Sequence, residues 1–186
     1  MEDVSRIVHR FDWPDRFVVG TVGQPGSRTF YLQARTGKEI VSVALEKEES
    51  ATLAEGVDKV LDELMSTDGN PFSVPAQTPE ELIDREALDQ PVTEQFRVGA
   101  LSLGWDPSTA QIVIEAEPAV EVDAETLEPV EAEAEEVLVV RIPVGAARAF
   151  AHRTREVVRS GRPICPLCRA PIDPDGHVCD LTDGFR

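Results

Sequence analysis

Two stretches of this chain open on nearly the same string. Arg16-Phe17-Val18-Val19-Gly20 begins one, and Gln95-Phe96-Arg97-Val98-Gly99 begins the other. Behind each string the same order of patterns follows. Three short runs of β-branched and aromatic residues come first, separated by turn clusters, and a run with helical periodicity closes the set. One three-stranded unit with one helix offers too little partner surface to bury its apolar faces alone. The doubled pattern therefore predicts an α+β body over 1–160. In it, two βββα units share one continuous antiparallel sheet, with two main helices on one face.

Repeat one spans 16–66. Its strands fall at 16–22, 29–34 and 40–45, and Leu53, Val57, Val60, Leu61 and Leu64 form the apolar face of its helix. A connector over 67–93 is punctuated by Pro71, Pro75, Pro79 and Pro91. Thr78-Pro79-Glu80-Glu81 reads as a helix start, predicting a short helix over 79–87. Repeat two spans 94–160, with strands at 96–103, 111–116 and 137–142. Its helix opens at Pro143 and presents Val144, Ala147, Phe150, Ala151, Thr154, Val157 and Val158 on one face. Gly20 to Gly26 superficially resembles a phosphate-cradling loop, but a strand rather than a helix follows it. It is expected to be a hairpin turn. Trp13-Pro14-Asp15 and Trp105-Asp106-Pro107 are read as turn aromatics that cap the sheet.

The net charge is −17 over 186 residues, and it is unevenly distributed. Ten acids and no Lys or Arg lie between Glu115 and Glu136, which leaves −7 for everything else. This acidic insert, 115–136, swells the second hairpin of repeat two. Strong acidity disfavours non-specific attraction to nucleic acid or anionic lipid. No run approaches the ~20 apolar residues of a membrane span. The start, Met1-Glu2-Asp3-Val4, has no secretory character, so a cytoplasmic location is expected.

The segment 161–186 has a different chemistry. It holds all three cysteines, in Cys165-Pro166-Leu167-Cys168 and Gly176-His177-Val178-Cys179. An odd count in a reducing compartment points to metal ligands or free thiols rather than to disulfides. Cys-x-x-Cys on a tight turn directs two thiolates at one metal, and His177 and Cys179 fall on the same side of an extended segment. Cys165, Cys168, His177 and Cys179 would complete a closed tetrahedral shell for structural Zn²⁺, in a zinc-knuckle-like tail. Asp180, Asp183 or His152 could take the place of His177. Pro171 and Pro174 oppose the helix that a redox Cys-x-x-Cys normally opens.

One polar stripe stands out on the second helix. Arg148, His152, Arg155 and Arg159 recur at one-face spacing and make a candidate site for an anion or an acidic partner. The plainer alternative is a solvated helix face, and a third is a contact with the acidic insert. No Ser/His/Asp or Cys/His order points to nucleophilic catalysis. The features together favour a non-enzymatic binding or adaptor protein with a structural zinc site. The alternatives are a nucleic-acid-binding module that uses the tail and the arginine stripe, and an enzyme with a cleft between the repeats.

Phe17-Val18-Val19-Gly20-Thr21-Val22-Gly23-Gln24-Pro25-Gly26, Leu45-Glu46-Lys47-Glu48, Phe96-Arg97-Val98-Gly99, Gly161-Arg162-Pro163 and the cysteine segment resemble an uncharacterised actinobacterial family, domain of unknown function 3090. The family has no established activity. The resemblance implies a protein partner drawn from kinase-like or histidine-phosphatase-like neighbours in a shared pathway.

Overall fold

The computed structural model describes residues 5–127, 130, 134–161, 165–169, 172 and 179. Seven strands form one sheet: β1 (Ser5–Asp12), β2 (Arg16–Val22), β3 (Thr29–Thr36), β4 (Glu39–Leu45), β5 (Glu94–Asp106), β6 (Gln111–Pro118) and β7 (Ala134–Pro143). Helix α1 (Lys47–Met65) follows β4, and α2 (Val144–Arg159) follows β7. The strand order across the sheet is β1-β7-β6-β5-β4-β3-β2. The fold class is α+β, as the sequence indicates.

The sheet is mixed rather than wholly antiparallel. Neighbours within β2–β4 and within β5–β7 run antiparallel, but β4 pairs with β5 in parallel, and β1 pairs with β7 in parallel. The reason is the length of the connection. A hairpin reverses the chain, whereas the passage through α1 and the connector returns it to the end where β4 began. β1 is absent from the sequence reading. Its apolar Ile7, Val8 and Phe11 do not alternate cleanly among Arg6, His9 and Arg10.

The link between the two edge strands forces the sheet to curl. Three residues, Trp13 to Asp15, join β1 to β2. Four Cα–Cα steps from Asp12 to Arg16 reach at most about 15 Å, whereas six strand spacings in a flat sheet would separate the edges by about 29 Å. Accordingly, Cα atoms of β1 and β3 approach within 8 Å. The corner is tied down at both sides. The Trp13 N–H donates to the Arg141 carbonyl at 3.1 Å, and the Gly37 N–H donates to Asp15 Oδ2 at 2.7 Å. Trp13 is 59% exposed, so it is a corner residue and not a cap on the sheet.

The helices and the inner face of the curled sheet share one core. Phe17 stacks on Phe150 with ring centroids 4.6 Å apart, and Leu53, Val57 and Leu61 of α1 meet Val43, Leu45 and Ile114 in the same cluster. The connector covers the other face of β2–β4. Gln33 donates to Ser42 Oγ at 3.0 Å and to the Asp89 carbonyl at 3.1 Å, and accepts from the Asp89 N–H at 2.8 Å. β4 is therefore buried on both faces, which accounts for its nearly continuous apolar run.

Within the connector, the expected helix over 79–87 is a single 3₁₀ turn, Glu80–Leu82. The carbonyls of Asp84 and Glu86 accept from arginine. Arg153 reaches Asp84 O at 2.7 Å and Glu86 O at 2.8 Å, and Arg16 reaches Glu86 O at 3.0 Å. Arg153 Nε also donates to the Val19 carbonyl at 3.0 Å, covering part of the exposed edge of β2. β5 extends through Gly104 and Trp105, so the turn begins later than expected. β6 and β7 likewise run into the acidic insert.

Candidate metal centre

Helix α2 ends beside the β2–β3 turn. Arg28 caps its last turn, with Nη2 to the Val157 carbonyl at 3.1 Å and Nη1 to Ser160 Oγ at 3.3 Å. Its guanidinium also lies 4.9 Å from the centroid of Phe30. Beyond this cap, Cys165-Pro166-Leu167-Cys168 closes a tight turn, in which the Arg169 N–H donates to the Cys165 carbonyl at 3.0 Å. Arg169 sits at φ 60°, so the chain bends back at that point.

The turn aims backbone N–H groups at one sulfur. Donation from the Cys168 and Leu167 amides lowers the Cys165 thiol to about 6, against the opposing effect of burial. The Cys168 and Cys179 side chains add to the same shift. A thiol so placed is readily deprotonated, and the thiolate is the form that binds a metal. Cys179 returns from further along the chain to 3.9 Å from Cys165, sulfur to sulfur. The sulfurs of Cys165, Cys168 and Cys179 all lie within 4.8 Å of one another. Ligands at ~2.3 Å on a tetrahedral ion would have their sulfurs about 3.8 Å apart. The three cysteines therefore fit a metal ion, as their spacing predicts. His177, Asp180 and Asp183 lie outside the described residues.

The structure disperses the arginine stripe among partners. Arg148 is 6% exposed and holds Asp58 Oδ1 and Asp62 Oδ1 of α1, each at 2.9 Å, together with the Pro75 carbonyl at 3.1 Å. Arg155 pairs with the other oxygen of Asp58. His152 places Nδ1 3.4 Å from Thr78 Oγ1 and Nε2 3.2 Å from Glu156 Oε1. Arg159 is exposed in the last turn. Thus Arg148 is buried between elements rather than on a solvated face. Among the described residues its counter-charges come from α1. A cavity of about 490 Å³ runs along this seam, lined by Asp58, Thr78, Glu80, Arg148, His152 and Arg155.

Asp58 and Asp62 escaped the sequence reading, although their four-residue spacing on α1 complements Arg148 and Arg155 on α2. A second charged cluster was also missed. Arg16 grips Asp84 with two bonds of 2.6 and 3.0 Å and Asp89 with a third of 3.0 Å. Arg153 Nη1 adds a bond to Asp84 at 3.0 Å. Burial pushes the Asp84 carboxyl up, but the Arg16 hydrogen bond, the Glu86 N–H and the charges of Arg16 and Arg153 together hold it below the ordinary carboxylate range.

No helix among the described residues is long and apolar enough to cross a membrane. No curated protein and no solved structure matches the chain. The family described as Protein of unknown function (DUF3090) matches residues 9–179, which takes in the second half of β1, strands β2–β7, both helices and all three cysteines, and the chain belongs to that family.

Proposed function

We propose that this chain is a cytoplasmic, non-enzymatic binding or adaptor protein whose C-terminal segment is closed by structural zinc. The ligands are Cys165, Cys168, His177 and Cys179. The convergence of three sulfurs within 4.8 Å carries the reading. Soft thiolate donors in a tetrahedral arrangement favour zinc over hard oxygen-seeking cations, and a closed shell leaves no position for a reacting water. We also read β2–β4 with α1 and β5–β7 with α2 as two copies of one βββα unit, which their matching element order supports. The partner is a protein. Pairing of Arg148 and Arg155 with carboxylates favours a protein surface over nucleic acid.

Metal analysis of the purified protein tests the site. About one zinc per chain is expected, with little in a Cys165→Ser/Cys168→Ser variant. A wild-type content far below one overturns the assignment. A tagged pull-down tests the adaptor role, and failure of the wild type to retain any specific protein removes it.

A further inference from the structure

The sheet splits beside α1. β4 pairs with β5 at Ser42↔Glu94 and Ala44↔Arg97 and ends at Leu45, where the chain turns into α1. β5 continues to Asp106, but among the described residues its pairing beyond Arg97 is with β6 alone. The β5–β6 register shifts between Val98 and Ala100, just past the last β4–β5 pair at Ala44↔Arg97. From there on, the flank of β5 that faces away from β6 carries no strand.

Between α1 and this flank lies a groove of about 400 Å³. Its walls are Thr52, Leu53 and Gly56 of α1 and Leu101 and Leu103 of β5. Gly56 keeps it open at a close approach, because a Cβ there would lie 3.2 Å from Leu103 Cδ2. Glu48 and Glu49 border the same groove; Glu49 Oε2 also accepts from the Glu46 N–H at 2.8 Å in the capping box of α1. An apolar trough beside an unpartnered strand flank, edged by carboxylates, has the parts needed for strand addition. The backbone of β5 supplies hydrogen bonds, alternate pockets take apolar side chains, and the acids select the charge of the segment.

We propose that this groove docks an extended segment of a partner protein, apolar on one face and bearing Lys or Arg on the other, laid alongside β5 at Leu101–Leu103. The proposal rests on the adaptor reading and gives the partner a chemistry. The overall charge of −17 adds long-range attraction for such a basic segment.

The test uses the full-length protein and a labelled peptide of about nine residues alternating Val and Lys. Saturable binding below ~1 mM is expected for the wild type, with much weaker binding of a Val/Glu counterpart. Thr52→Trp fills the groove from an exposed helix position and is expected to weaken binding at least about tenfold. Glu48→Arg, which reverses the charge at the edge of the groove, should weaken it by several-fold. Circular dichroism of both variants checks that the fold is kept. Absence of saturable wild-type binding, equal affinity for the two peptides, or unchanged affinity in Thr52→Trp overturns the proposal. So does a wild-type dimer that dissociates in Thr52→Trp, since a second copy would then fill the groove. The peptide result is independent of the pull-down. A retained partner with no peptide binding leaves the adaptor reading standing and this groove without its role.

Discussion

Gly20 and Gly99 close the two similar strings, and each makes room for a covering segment. A Cβ at Gly20 would lie 2.5 Å from Leu88 Cγ of the connector, and one at Gly99 would lie 2.4 Å from the Cα of Ala119 at the base of the acidic insert. The matching glycines thus serve the same need, close approach over an outer face, with different occupants. Leu88 is 6% exposed, so it is a packed side chain with little space to retreat. Gly20→Ala is expected to cost about 1–3 kcal/mol through this overlap, and Leu88→Ala about 2–5 kcal/mol through the cavity left behind. The double variant should cost little more than Leu88→Ala alone, because the shortened side chain removes the clash. Additive losses in urea denaturation would show that the two residues do not meet. The glycines were visible in the sequence as repeated letters. Their purpose was not, because a repeat records that a position is special and not what approaches it.

The connector is the element whose behaviour departs most from its local pattern. Thr78-Pro79-Glu80-Glu81 has the signals of a helix start, yet only one 3₁₀ turn forms, and beyond it arginines from β2 and α2 donate to the carbonyls of Asp84 and Glu86. Arg153 is the pivot, since its buried guanidinium also holds Asp84 and the edge of β2. Arg153→Met is expected to destabilise the protein by about 1–3 kcal/mol, because it leaves the Val19 and Asp84 carbonyls without their donor while Arg16 still holds the Asp84 carboxylate. The Asp84 carboxyl gives the cluster a pH signature. Its folded pKa lies below the unfolded value, so its contribution is present above about pH 4 and is lost as pH falls through the folded value. Denaturation midpoints measured from neutral to acid pH should fall at the acid end in the wild type, and Asp84→Asn should flatten that fall. An identical acid limb in the variant would mean that other carboxylates produce it.

At the scale of the whole molecule, curling sets the location of the core. Edge strands joined by three residues cannot lie on opposite sides of a flat sheet, so β1 is brought round towards β3, and Phe11 of β1 is 2% exposed in the shared core. Phe11→Ala is expected to cost about 3–5 kcal/mol. Deleting 5–12 should be more severe. It bares the edge of β7 together with the core, and concentration-dependent aggregation in light scattering is the expected result. A monomeric, fully stable truncation would show that β1 is dispensable. The sequence by itself determined the strands β2–β7, both helices and the cysteine set, because periodicity and ligand spacing are properties of neighbouring residues. Tertiary structure alone decided that β4 and β5 run parallel, that β1 joins the sheet, and that Arg148 and Arg155 meet Asp58 and Asp62. These outcomes depend on which distant surfaces come into contact. An apolar or charged stripe specifies a face to be covered, and only the packed chain specifies which element covers it.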